Sequence, residues 1–225
     1  MKADLHVHTS YSYDSNSPPE KVIKAALARK IDCLAICDHE EIRGAEAVQR
    51  AALNLPILII PGIEVKSKAG DILGLNVKET IPSGLSARET IKKIKGAGGM
   101  AIIPHPFGWF CSFKKNIEEI APEIDGIEVL NAAAFGPGNK KAKALAEKLN
   151  LPFTAGSDAH NLDFIGRVFL EVPGENLSIK EVLEQIRQRN VRINGREGNF
   201  FEKLLEHTKR NIAKIQYASR KKRKV

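Results

Sequence analysis

The stretch Ala3-Asp4-Leu5-His6-Val7-His8 decides how the rest of the chain is read. Side chains at i and i+2 of a strand project from the same side, so a strand here offers the imidazoles of His6 and His8 to one point in space. A metal ion is the natural occupant of that point. The other histidines support this reading by their positions. His39 follows Asp38 at the end of the apolar run Cys33-Leu34-Ala35-Ile36-Cys37, and His105 stands between two prolines after Met100-Ala101-Ile102-Ile103. His160 closes Gly156-Ser157-Asp158-Ala159-His160, just after Leu151-Pro152-Phe153-Thr154. Of the six histidines, only His207, in a charged C-terminal helical stretch, has no strand in front of it.

Working outward, the pattern alternates strands with helices. Strands are expected at about 32–37, 56–63, 71–77, 100–103, 126–131, 152–155 and 168–172. Helices are expected near Pro18 or Pro19, where proline suits a first helical turn, and at about 44–53, 86–96 and 138–149. Another begins at Ser178, with Glu181 at capping-box spacing. A final helix at about 199–217 carries Phe200, Leu204, Leu205, Ile212 and Ile215 at helical spacing, which predicts that this apolar face packs on the body. Alternation of this kind implies a mostly parallel sheet with right-handed crossovers. His39, Glu64, His105, Asn131 and His160 all fall at or just past the C-terminal ends of successive strands. A barrel gathers those ends at one mouth, whereas an open sheet spreads them along a line. The expected fold is therefore a single-domain α/β barrel with nearer seven strands than eight, spanning residues 1–217 and followed by a basic, disordered tail at 218–225.

Composition bounds the function. A chain of 225 residues with 43% hydrophobic content can bury one full core. No signal-peptide pattern and no apolar run of about 18 residues is present, so a cytoplasmic location and no membrane contact are expected. Cys33 and Cys37 lie about 13 Å apart along a strand, too far for a disulfide, and read as buried thiols. Five of the eight net positive charges are Arg220 to Lys224. The body is thus mildly basic, and the terminal run is a candidate for weak polyanion contact.

The polar candidates are His6, His8, Asp14, Asp38, His39, Glu64, His105, Glu128, Asn131, Asp158 and His160. Each alone has an ordinary explanation: Asp38 as a helix cap, Asp14 as a loop acid, Glu128 as a surface strand residue. Gathered at one mouth, they would cost several kcal/mol each to bury unless cations neutralised them. A polynuclear metal site is the expectation. Asp4-Leu5-His6-Val7-His8-Thr9, Cys37-Asp38-His39-Glu40, Gly62-Ile63-Glu64, Pro104-His105-Pro106 and Gly156-Ser157-Asp158-Ala159-His160 resemble, in order, the signatures of the polymerase and histidinol phosphatase (PHP) family. The resemblance implies a distorted (β/α)7 TIM-like barrel with two or three divalent metals and phosphoester hydrolysis. By position, it implies that His6, His8, Glu64 and Asp158 hold one metal, that Glu64 bridges to a second held also by His105, and that Asp14, His39 and His160 hold a third. Two departures stand out. No His or Cys occurs in Ala132-Ala133-Ala134-Phe135, where a further ligand of the second metal is common, leaving Glu128 or water as its candidate replacement. Ala132 also occupies a position where relatives acting on nucleotides often carry arginine.

A carboxylate shared by two cations lets them acidify one water as the nucleophile, and the same cations neutralise phosphate oxygens. Glu64, Asp38 and Asp158 are the candidate catalytic carboxylates. Mixed imidazole and carboxylate ligands suit Mn, Fe or Zn alike. Arg167, Arg43 and Asn131 are candidate substrate contacts, and the Phe107, Trp109 and Phe110 loop could stack on a base or simply cover the barrel rim. The expected substrate is a phosphorylated small molecule, a nucleotide or a nucleic acid end, the last two preferred. The alternatives are a histidinol-phosphate phosphatase and, from another class, a non-catalytic metal-binding or structural module.

Overall fold

The computed structural model describes residues 1–108, 112–135 and 137–222. Strands β1 (Lys2–Val7), β2 (Cys33–Ile36), β3 (Leu58–Lys66), β4 (Asp71–Leu75), β5 (Met100–Ile103), β6 (Gly126–Asn131) and β7 (Phe153–Gly156) follow one another in spatial order as in sequence. The sheet then turns back on itself: Val7 bridges Ala159 just after β7, with the His8 amide donating to the Ala159 carbonyl at 3.0 Å. The result is a single mixed α/β domain around a nearly closed, barrel-shaped sheet. Strands β8 (Val168–Glu171) and β9 (Arg192–Gly195) extend the sheet beyond β1, both antiparallel to their neighbours.

Helices α1 (Pro19–Ala28), α2 (Arg43–Ala51), α3 (Ala87–Gly96), α4 (Gly138–Lys148), α5 (Ile179–Arg187) and α6 (Phe200–Lys222) complete the described elements, with a short 3-10 turn at Ile117–Glu119. Pro19 opens α1, which buries Val22, Ile23 and Ala26. Ser86 with Glu89 and Ser178 with Glu181 form the reciprocal capping boxes of α3 and α5. One apolar cluster joins α1, α2 and α5 to β1 and β2, and a second lies between α3, α4 and β3–β6.

The barrel departs from an all-parallel plan at β4, which is antiparallel to both β3 and β5. The cause is local. Ser67 donates its amide and hydroxyl to the Gly70 carbonyl at 3.0 and 2.6 Å, and Gly70 has φ of 144°, so the chain reverses in a tight hairpin with no crossover helix. Strand β3 is longer than its sequence suggested: its first half pairs parallel with β2, its second half antiparallel with β4, and Glu64 lies inside it. Strand β9 has no counterpart in the sequence reading, because Arg192-Ile193-Asn194-Gly195 is a largely exposed polar edge.

Closure depends on glycine at one position. A Cβ on Gly156 would stand 2.5 Å from the His6 Cβ and 2.8 Å from the His6 amide nitrogen, neither of which is a flexible chain end. Gly156→Ala is expected to separate β7 from β1, costing about 1–3 kcal/mol of stability and misplacing His6. Urea denaturation would read the first effect, and an unchanged midpoint would show that β1 and β7 can part without cost.

Helix α6 runs to Lys222, past the boundary expected at residue 217, and residues 223–225 lie outside the described residues. Its orientation reverses the expectation. Phe200, Leu204, Leu205, Ile212 and Ile215 are exposed, at 47–68%, whereas Lys203, Glu206 and Ala213 are buried. Period shows which residues share a face but not which way that face turns; here polar contacts to the barrel mouth decide it. Among the described residues, no helix is long and apolar enough to cross a membrane. Cys33 and Cys37 are free and buried, and burial pushes both thiols up, which keeps them protonated.

Candidate metal centre

Strand β1 alternates as its sequence required. Ala3, Leu5 and Val7 enter the apolar cluster beneath α1 and α2, which sends Asp4, His6 and His8 to the opposite face, where all three are fully buried. Asp4 lies below the two histidines and accepts from the Ser157 amide at 2.8 Å, the Ser157 hydroxyl at 2.6 Å and the Gly166 amide at 2.8 Å. Burial raises its pKa to about 6 against those donors. It ties β1 to the end of β7 and takes no part in the cluster above.

Glu64 is the hub. Its Oε2 lies 3.5 Å from His6 Nε2, 3.4 Å from His8 Nε2 and 3.3 Å from His39 Nδ1, and its Oε1 lies 3.1 Å from His105 Nε2. Asp158 Oδ1 adds contacts to His6 Nε2 at 3.6 Å and His8 Nε2 at 3.3 Å. On the far side, Asp14 meets His39 Nε2 at 3.4 Å and His160 Nε2 at 3.3 Å. Three overlapping groups have donor atoms within 4.8 Å of one another: His6, His8 and Asp158; His6, Glu64 and His105; and His8, His39 and His160. The residues that the sequence assigned to a metal centre are thus brought together, Glu128 joining them through His6 Nδ1 and the His105 amide and not through the three donor groups.

The donor set suits divalent cations. The buried Nε2 atoms of His6, His8, His39 and His160, and Oδ1 of Asp14, have no hydrogen-bond partner among the described residues. On three of these rings Nδ1 is already engaged: His6 with Glu128 Oε1 at 3.1 Å, His8 with Ser12 Oγ at 3.0 Å, and His160 with the Asp158 carbonyl at 2.9 Å. Such contacts fix the ring and direct Nε2 inward, as outer partners of metal-binding histidines do. Burial disfavours charge on Glu64, but His39 and His6 outweigh it and hold the carboxyl well below its usual range. Burial likewise opposes charge on Asp158 and Asp14, yet His6 and His160 respectively hold them low. His105 has its pKa raised to about 9, burial being overcome by the hydrogen bond and charge of Glu64. Burial and the neighbouring His160 push His8 well down, keeping its ring neutral. A crowd of buried carboxylates that favours positive charge on His6, His39 and His105 is an electrostatic site for cations.

His105 and Asp158 also depart from ordinary backbone geometry, with φ of 29° and 50°. Non-glycine residues in this region are uncommon and gather at functional sites.

Several sequence candidates have other roles. Both Glu128 oxygens are committed, Oε1 to His6 Nδ1 and Oε2 to the His105 amide at 3.0 Å and the Asn131 amide group at 2.9 Å. It contacts His6 and the His105 backbone, and none of the three donor groups includes it. Asn131 also donates to Asp158 Oδ2 at 3.3 Å and lines the cavity. Asp38 faces away from the cluster, accepting from the Thr9 amide at 2.6 Å, the Thr9 hydroxyl at 2.7 Å and the Ser12 hydroxyl at 3.0 Å, so it shapes the loop after β1. Gly44 leaves room for that carboxylate. Arg167 is turned aside by an ion pair with Glu202 at 2.6 Å and lies over the Phe164 ring. Arg43 is exposed and paired with Glu41. Phe107 and Phe113 pack against the α3–α4 cluster; Trp109 and Phe110 lie outside the described residues.

The site extends beyond what the sequence suggested. The mouth is a cavity of about 200 Å³ lined by His39, Glu64, His105, Asn131 and Asp158 from the barrel and by Lys203, Glu206, His207, Arg210 and Lys214 from α6. Glu206 accepts from the His160 amide at 2.8 Å, and Arg210 Nη2 reaches Asp14 Oδ2 at 3.0 Å. The signal was present as polar residues at 203, 206, 207, 210 and 214, one helical face in its own right.

Residues 4–91 match the family model described as PHP domain, and residues 136–191 match the model described as PHP-associated. An uncharacterized protein of Methanocaldococcus jannaschii is 39% identical over 143 residues, 59% of this chain and 82% of that one. The chain belongs to the PHP family. PHP membership and the converged ligands make it a metal-dependent phosphoesterase, a hydrolase acting on phosphate esters. A 5'-3' exoribonuclease of Haemophilus influenzae is 31% identical over 98 residues, 42% of this chain and 35% of that one. The fold resembles that of a candidate metal-dependent phosphoesterase from Bifidobacterium adolescentis, with a TM-score of 0.62 at 16% identity over 83% of this chain and 96% of that one.

Proposed function

We propose that the chain hydrolyses terminal phosphate esters of nucleotides or nucleic acid ends at a centre of two or three Mn, Fe or Zn ions. The observation that carries this reading is Glu64, whose two carboxylate oxygens lie within 3.5 Å of four imidazoles drawn from β1, the β2–α2 loop and the end of β5. His6, His8, Asp158 and Glu64 would hold one ion, Glu64 and His105 a second, and Asp14, His39 and His160 a third. When bound, such ions supply the positive charge that phosphate oxygens need and lower the pKa of water to yield a nucleophile. The chain's own residues set the geometry. Glu128 holds His6 and the His105 backbone in place, Asn131 steadies Asp158, and Ser12 steadies His8. Helix α6 covers one side of the mouth and limits water there.

The preference for nucleotides draws on the likeness to an exoribonuclease over part of the chain and on the basic charge balance. Phosphate release by manganese-reconstituted protein against mononucleotides, nucleoside 3′,5′-bisphosphates, short 5′-phosphorylated RNA and DNA, and histidinol phosphate tests it. Release confined to nucleotides or oligonucleotide ends is the expected outcome. Release from histidinol phosphate alone would replace this reading with the histidinol-phosphate phosphatase one.

A further inference from the structure

The cations of the cavity come mainly from one helix. Among the described residues, the lysines and arginines lining it are Lys66 on β3 and Lys203, Arg210 and Lys214 on α6. These four are not equivalent. Lys203 is committed to Glu197 at 2.8 Å, Lys214 lies over the Tyr13 ring at the rim, and Lys66 is exposed. Arg210 alone reaches the candidate ligands, with Nη2 3.0 Å from Asp14 Oδ2 and Nη1 3.9 Å from Asp158 Oδ2. Its side chain is only 18% exposed.

The helix that carries it is held firmly. Glu206 accepts from the His160 amide, Lys209 pairs with Asp163 at 2.8 Å, and Asn16 donates to Gln216 at 2.9 Å. These contacts, one buried and two exposed, span more than two turns around Arg210 and set where its backbone lies over the mouth. Arg167 and Arg43 are engaged elsewhere, and Ala132 at the end of β6 is buried and apolar. The barrel therefore offers no arginine of its own at the mouth among the described residues.

We propose that Arg210 is the phosphate-binding residue of this centre, making α6 its substrate-recognition element. With cations bound, Asp14 and Asp158 would share their charge with them and hold the guanidinium less strongly, and its planar fork would match two oxygens of a phosphoryl group at the mouth. The ligand class is a terminal phosphomonoester dianion. A cavity of about 200 Å³ is smaller than the usual ligand pocket of about 300 Å³ or more, so it admits the phosphoryl group and adjoining atoms, with the remainder of the substrate outside. Helix α6 lies outside both stretches matched by the family models.

The inference rests on the phosphoesterase reading for the identity of its ligand. Calorimetric titration of inorganic phosphate into manganese-loaded protein tests it directly. Arg210→Gln is expected to bind phosphate roughly 10- to 100-fold more weakly at unchanged manganese content, and Arg210→Lys to recover part of the loss because it keeps the charge without the fork. Equal affinity in Arg210→Gln would overturn the assignment. So would a weaker affinity that tracks the loss of a manganese equivalent, since Arg210 would then act only through Asp14. If the wild type binds phosphate through Arg210 yet releases none from any ester, the hydrolytic reading fails and the phosphate site stands.

Discussion

Glu64→Ala is expected to lower phosphate release by on the order of a thousand-fold or more while leaving far-UV circular dichroism unchanged. Its carboxylate is the contact shared by His6, His8, His39 and His105, whereas Asp158 faces His6, His8 and His160, and Asp14 faces His39 and His160. Losing Glu64 leaves these imidazoles in place but deletes the negative charge between them. Elemental analysis should therefore show fewer bound ions as well as lost turnover. Glu64→Gln separates charge from shape, because it keeps the volume and removes the anion; it should resemble the alanine variant. Activity within tenfold of wild type in either would mean that the hub is not where the chemistry occurs.

Stripping metal is the second large effect. Ligands that bind only the folded state stabilise it by about 4 kcal/mol each when present at a thousand times their dissociation constant. For a domain of this size, 1 kcal/mol moves Tm by about 2–4 °C. Chelation followed by desalting is thus expected to lower Tm by at least about 10 °C and to abolish phosphate release, with both restored by added manganese. The carboxylates supply the reason: without cations, Asp14, Glu64 and Asp158 remain buried with imidazoles, Arg210 and the Asn131 amide as the partners that offset them among the described residues. Loaded and stripped samples melting within two degrees of each other would show that the cluster tolerates its own charge.

Most of this centre was legible because its residues are placed by strand periodicity. His6 and His8 share a side by the two-residue repeat, and His105 and His160 follow short apolar strands that could only lead to the barrel mouth. Roles within the cluster were less legible. Glu128 and Asp38 are acids of the expected type in the expected neighbourhood, but which oxygen faces which donor depends on packing: Glu128 is used up by His6, His105 and Asn131, and Asp38 by Thr9 and Ser12. The direction of α6 was the largest misreading. Two faces of comparable regularity exist on that helix, one apolar and one charged, and only the ion pairs at the mouth select between them. The arginines were hard to place for the same reason: Arg167 and Arg43, expected at the substrate, pair with Glu202 and Glu41, while Arg210, on a helix read as packing, lies beside Asp14.

The bond between Asp4 and Ser157 joins residues 153 positions apart. During synthesis at about 5–20 residues per second, roughly 8–30 s separate the appearance of these two partners. For the later part of that interval His6, His8, His39 and Glu64 exist without Asp158 or His160, and the barrel has no seventh strand to close it. Two of the three donor groups, those that include Asp158 and His160, are therefore completed only once β7 has docked against β1.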